Sequence, residues 1–155
     1  MNADIKEILP GEGLGDITFG IFREELQELI GAPSEIQKEQ TPDGKVEHYH
    51  YDELELSVTF EEADNWELGT ISTTSRLSTL EGENVIAMSR DNVVELIDEL
   101  AEEDEAWESA DVEDDNLITI EDLNLNFWFD KGRLSEVQWF PVWEDDDDDD
   151  DESDD

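Results

Sequence analysis

The chain has 155 residues, with 48 Asp and Glu against 8 Lys and Arg, a formal charge of −40 at pH 7. Such a surface repels nucleic acids and anionic membranes, and it draws strongly basic proteins towards it before contact. The absence of cysteine rules out disulfides and thiol catalysis, and no apolar run approaches the roughly 20 residues that span a bilayer.

The charge is spread along the whole length. Residues 144–155 hold 11 acids and no base, yet the remainder still sets 37 acids against the same 8 bases. Hydrophobic residues nevertheless make up 36%, including five Trp, six Phe and two Tyr in periodic segments. That composition predicts a packed region followed by a disordered poly-Asp tail. The opening Met1-Asn2-Ala3-Asp4-Ile5-Lys6 lacks the basic-then-apolar pattern of a signal peptide, so a cytoplasmic location is expected.

In chain order, Pro10-Gly11-Glu12-Gly13-Leu14-Gly15 comes first. It lacks the Gly-Lys-Ser/Thr ending of a phosphate loop and carries a repelling Glu12, so it reads as a flexible entry loop. From Phe22 to Ile30, Phe22, Leu26, Leu29 and Ile30 form one apolar helical face, ended by Gly31 and Pro33. Lys45–Tyr51, Leu54–Phe60 and Leu68–Thr73 then read as strands. Leu54, Leu56, Val58 and Phe60 share one face of the middle strand, and Glu55, Ser57 and Thr59 share the other. A second helix is predicted from Arg90 to Ala101, with Ser89 as its N-cap and Val93, Leu96, Ile97 and Leu100 as its stripe. Strands Leu117–Ile120, Leu123–Phe129 and Leu134–Phe140 follow, the last two joined by the hairpin turn Asp130-Lys131-Gly132-Arg133.

The second helix and its strands match the first set in type, order and pattern, as Leu54-Glu55-Leu56-Ser57-Val58-Thr59-Phe60 does Leu123-Asn124-Leu125-Asn126-Phe127-Trp128-Phe129. The expected fold is α+β: two tandem helix-plus-antiparallel-meander repeats forming a sheet with helices on one face. Its boundaries are an N-terminal segment 1–14, a first repeat 15–80, a second repeat 81–143 and the tail 144–155.

Gly15-Asp16-Ile17-Thr18-Phe19-Gly20-Ile21-Phe22-Arg23-Glu24-Glu25-Leu26, followed by Ile30-Gly31-Ala32-Pro33, resembles the opening of SmpA/OmlA-like domains. The tandem arrangement over residues 15–140 is similar to beta-lactamase-inhibitory-protein-like domains, and acidic chains of this look occur as bacterial immunity proteins. The resemblance implies a sheet that grips a protein partner. Phe22 stands where the family prefers a Ser or Thr cap, and the relatives' lipoprotein signal and cysteines are missing, so no role in outer-membrane assembly is implied.

Catalytic and metal chemistry find little support. His48 and His50 alternate with Tyr49 and Tyr51, which puts both imidazoles on one side of a strand, but spacing fixes no third ligand. Asp111 to Ile118 with Asp122 partly mimics a calcium loop, yet Asn116 replaces the sharp-turn Gly and Asp122 the bidentate Glu. No dedicated metal site, cofactor or catalytic residue is expected, and the chain reads as a non-enzyme. The aromatics point elsewhere. Trp128 falls out of phase with Leu125, Phe127 and Phe129, while Trp139, Trp66 and Trp107 lie near acids; charge-ringed aromatics are interface anchors.

The expected function is that of an inhibitor or immunity-type protein neutralising a basic protein, most plausibly a nucleic-acid-acting toxin, as a monomer in a one-to-one complex. Trp128, Trp139, Trp66 and Trp107 would supply desolvated contact. Glu55, Glu102, Glu103, Asp104, Asp111, Glu113, Asp114 and Asp115 would fill the partner's positive groove. A DNA mimic that blocks several DNA-binding proteins and an acidic chaperone of basic proteins are the alternatives. No direct contact with nucleic acid or membrane is expected. Salt adaptation is a further reading of the acidity, given only four Lys.

Overall fold

A computed structural model describes residues 5–141. The expected poly-Asp tail lies outside the described residues. The fold is mixed α+β, mostly antiparallel sheet with two α-helices. In chain order the elements are β1 (Ile8–Leu9), β2 (Gly13–Leu14), β3 (Ile17–Thr18), α1 (Arg23–Ile30), β4 (Glu35–Thr41), β5 (Gly44–Tyr51), β6 (Leu56–Glu61) and β7 (Leu68–Thr73). Then come β8 (Thr79–Leu80), β9 (Glu83–Asn84), α2 (Arg90–Ala101), β10 (Ala110–Asp114), β11 (Leu117–Ile120), β12 (Leu125–Asp130) and β13 (Arg133–Trp139).

Local chemistry sets the helix ends. The Ser89 hydroxyl accepts from the Asn92 N–H at 3.3 Å, capping α2 where the sequence predicts it. At α1 the N-cap is Phe22, which has no side-chain acceptor; Glu25 reaches back to accept from the Phe22 N–H at 2.9 Å. Half of the capping-box arrangement thus survives the loss of the usual hydroxyl.

Eight strands form one sheet in the order β10-β11-β12-β13-β7-β6-β5-β4. Two antiparallel meanders, β4–β7 and β10–β13, meet where Val137, Gln138 and Trp139 pair with Thr73, Ser72 and Ile71. The predicted Asp130–Arg133 turn joins β12 to β13, with Lys131 and Gly132 both at positive φ, as a two-residue hairpin requires.

Several expectations are corrected. β6 and β12 begin two residues later than predicted, because the residues before them form short 3₁₀ turns, Asp52–Leu54 and Glu121–Leu123. Each turn ends on a left-handed residue, Glu55 (φ 54°) and Asn124 (φ 50°). Leu54 and Leu123 therefore leave the strand row despite being in phase with it. The glycine-rich entry is not a loose loop: β1, β2 and β3 form a small antiparallel sheet whose Ile8, Leu14 and Ile17 are buried. Gly13 sits at φ 152°, and a side-chain carbon added there would lie 1.9 Å from the Ile17 carbonyl oxygen, so only glycine fits.

One buried cluster runs through the molecule. It joins Leu26 of α1 and Val93 and Ile97 of α2 to Val58, Ile71, Phe127 and Val137 of the large sheet. Among the described residues, no helix is long and apolar enough to cross a membrane.

Candidate interaction face

Side chains of residues directly opposite each other in a sheet point to the same side. The face turned away from the buried row therefore follows from register. One row crosses all eight strands: Asp111, Thr119, Asn126, Gln138, Ser72, Ser57, His50 and Glu35, each paired with the next. A second row runs through Thr70, Thr59, His48 and Gln37. At about 4.8 Å between strands, the long row spans about 34 Å.

Between its two terminal acids the long row carries no carboxylate and no permanent cation, in a chain that is 36% charged. Mutual repulsion of carboxylates placed opposite one another accounts for part of that. It does not account for Trp128, which stands beside the row, paired with Leu117 and Glu136 and 39% exposed. Its out-of-phase position on the strand is the one predicted.

Hydrogen bonds hold the polar side chains in place. Thr119 Oγ1 donates to Asn126 Oδ1 at 3.0 Å, and Ser72 Oγ donates to Glu136 Oε2. His50 Nδ1 lies 2.9 Å from Ser57 Oγ and its Nε2 3.3 Å from Gln37 Oε1. His48 repeats the pattern, with Nδ1 2.9 Å from Thr59 Oγ1 and Nε2 3.2 Å from Glu39 Oε1. Thr59, His48 and Glu39 thus make a hydroxyl–imidazole–carboxylate chain. β6, which carries Thr59, is an interior strand between β5 and β7.

The other predicted aromatics are not exposed anchors. Trp139 is fully buried, and its indole N–H donates to the Gly13 carbonyl oxygen at 3.1 Å. It shares the core phase of Val137, two residues before it. Trp107 is buried in the 3₁₀ helix Glu105–Ser109, with Glu105 and Glu108 turned to solvent. Trp66 is half-buried under Arg23. Nearby acids in sequence misled in all three cases, because they flank the indoles without surrounding them.

All eight predicted acids are exposed. Asp111, Glu113, Asp114 and Asp115 lie on the β10–β11 hairpin at one edge of the sheet. The calcium-like stretch is therefore strand and turn, with Asp111 and Asp114 accepting from the N–H groups of Glu113 and Asn116. Glu102, Glu103 and Asp104 follow α2, and Asp104 Oδ1 accepts from the Ala106 N–H. Glu55 stands apart, in a cleft with Asp52, Ser57, Ser72 and Glu136. β6, which it precedes, is five strands from β10.

Below the polar face, burial pushes the Tyr51 hydroxyl up to about 12, with neighbouring Tyr49 adding to the effect. That hydroxyl donates to the Gly31 carbonyl oxygen at 2.9 Å and ties β5 to the end of α1. Comparison of the chain with protein-family models, with curated proteins and with solved structures finds no match.

Proposed function

We propose that the chain is an acidic inhibitor or immunity-type protein that neutralises a basic protein, and that the polar face of the sheet is its contact surface. The observation that carries this is the row across the sheet whose six central residues, Thr119 to His50, hold no carboxylate or permanent cation, bracketed by Asp111 and Glu35 and flanked by exposed Trp128. A partner would lay a hydrogen-bonding surface on Thr119, Asn126, Gln138, Ser72 and Ser57 and desolvate Trp128. Its cationic rim would meet the acids of the β10–β11 hairpin on one side and Glu35 and Glu39 on the other. A nucleic-acid-acting toxin fits, since its groove is basic by necessity.

Apart from Asp52, Glu55 and Glu136 in the cleft beside Ser57 and Ser72, the acids of this face stand at the ends of the row, which favours a dedicated inhibitor over a DNA mimic, whose carboxylates would have to stand where phosphates do. The reading includes a duplicated architecture with both helices on one face of the sheet. Supporting it, Phe22 and Ser89 cap their helices and bridge to Glu67 and Arg133, at the starts of β7 and β13. Glu55 and Asn124 take the same left-handed conformation, and the register slips at Thr59/Phe60 and again at Trp128/Phe129.

The test is capture on immobilised chain from nuclease-treated lysate, run beside Trp128→Ala and Gln138→Ala. One basic protein should be held by the parent chain and lost from Trp128→Ala, with an on-rate that falls steeply with salt. Retention of several unrelated DNA-binding proteins, displaced by added DNA, would favour the mimic. An acidic or neutral partner would defeat both.

A further inference from the structure

The two histidines of the polar face are placed for a chemistry that a docking role does not require. They alternate on β5 with ring centroids 6.4 Å apart and planes 23° from parallel. The hairpin between β4 and β5 carries Glu39 over to them: its Oε1 already lies 3.2 Å from His48 Nε2, and Glu35 is paired with His50. The sequence hides this third ligand, since it depends on strand register and not on a short spacing.

The hydroxyls behind the rings matter as much. Thr59 and Ser57 each sit 2.9 Å from an Nδ1, and a hydroxyl can donate or accept. Without a bound ion, Nε2–H donates to the oxygens of Glu39 and Gln37 while Nδ1 accepts from the hydroxyl. Moving the proton to Nδ1, through solvent, keeps that bond with its direction reversed. It also frees the Nε2 lone pair and the Glu39 carboxylate together. A hydroxyl that accepts from Nδ1–H in this way orients a ligating imidazole. Lys38 and Lys45 are paired with Glu47 and Gln40, in phase with the opposite face, so neither opposes a cation here.

We propose that His48, His50 and Glu39 bind a divalent transition-metal ion of the zinc, copper or nickel class. Among the described residues no three such groups already converge, so the site closes by rotation of the two rings about their side-chain bonds. Two imidazoles and one carboxylate suit a borderline ion and leave a coordination position for water or an outside ligand. The inference stands independently of the inhibitor reading.

The test is Zn²⁺ titration of the full chain with Ca²⁺ in large excess, followed by calorimetry and by the imidazole nitrogen NMR signals. Calcium occupies the hard carboxylate surface and leaves the histidine site free. One site is expected, with both Nε2 signals moving. It should be lost in His48→Gln and in His50→Gln, and weakened roughly ten- to a hundred-fold in Thr59→Val. Unmoved imidazole signals, displacement of zinc by calcium, or equal uptake by His50→Gln would each overturn the proposal. The parent chain's NMR response decides the matter even if a variant folds poorly.

Discussion

The guanidinium carbon of Arg23 lies 4.2 Å from the centre of the Trp66 ring, while its Nη1 donates to Glu47 at 3.1 Å. One of only eight basic residues is thus spent on holding the start of α1 against β5 and the turn before β7. Trp66 needs that cover, since it sits at φ 63°, a costly conformation for a bulky residue.

Replacing Arg23 with Met keeps the stem and removes the charge. Loss of the cation–π contact and of the half-buried ion pair is expected to cost about 1–2 kcal/mol in urea unfolding. A double-mutant cycle with Trp66→Leu should show positive coupling; additivity would mean the stacking contributes nothing.

Two tryptophans should separate folding from binding. Trp139→Phe removes the indole N–H that the Gly13 carbonyl accepts and opens a void, so a loss of about 2–4 kcal/mol is expected. Trp128→Ala should alter stability by no more than about 0.5–1 kcal/mol, yet abolish retention of a basic partner. Equal stability losses at the two sites would place Trp128 in a second core.

Tyr51 gives the fold an alkaline limit. Its folded value, about 12, lies above the ordinary 10.0 of the unfolded chain. Between those values the unfolded chain binds fewer protons than the folded one, so stability is complete below pH 10 and falls as pH rises towards 12. Urea midpoints measured across that window should decline, and Tyr51→Phe should flatten the decline at the cost of its bond to Gly31. Lysine deprotonation adds to the net repulsion equally in both chains, so their difference isolates the tyrosine.

Salt should stabilise the chain by screening its carboxylates. The urea midpoint is expected to rise with KCl and to level off below about 0.5 M, where the screening length has shrunk to roughly 4 Å. A requirement for molar salt would instead mark adaptation to brine.

Much of this architecture was legible in single segments. The bounds of α2, β7 and β11 follow from a cap in the helix and from apolar–polar alternation in the strands. β4 and β10 left no such trace: as edge strands they are exposed almost throughout, so Glu-Ile-Gln-Lys-Glu-Gln-Thr and Ala-Asp-Val-Glu-Asp show no apolar rhythm. Leu54 and Leu123 were misplaced because a left-handed residue breaks the strand without disturbing the alternation of side-chain types. The polar face was hidden for a different reason. Ser57, Ser72, Gln138 and Asn126 are unremarkable singly, and only pairing between distant segments brings them into line. The same alternation would have assigned Trp139 to the core through Val137.

Among the described residues, the large sheet ends in two unpaired rims. β10 is guarded by Asp111, Glu113 and Asp114 and bent by a register shift, whereas β4 is seven residues with no proline and only Glu35, Lys38 and Glu39 as charges. At neutral pH the overall negative charge keeps such rims apart. As acid protonates the carboxylates, that mutual avoidance weakens and β4 becomes a template for further chains. Mild acid should therefore turn dispersed molecules into filaments that bind amyloid dyes, growing from the β4 rim and suppressed by Gln37→Pro.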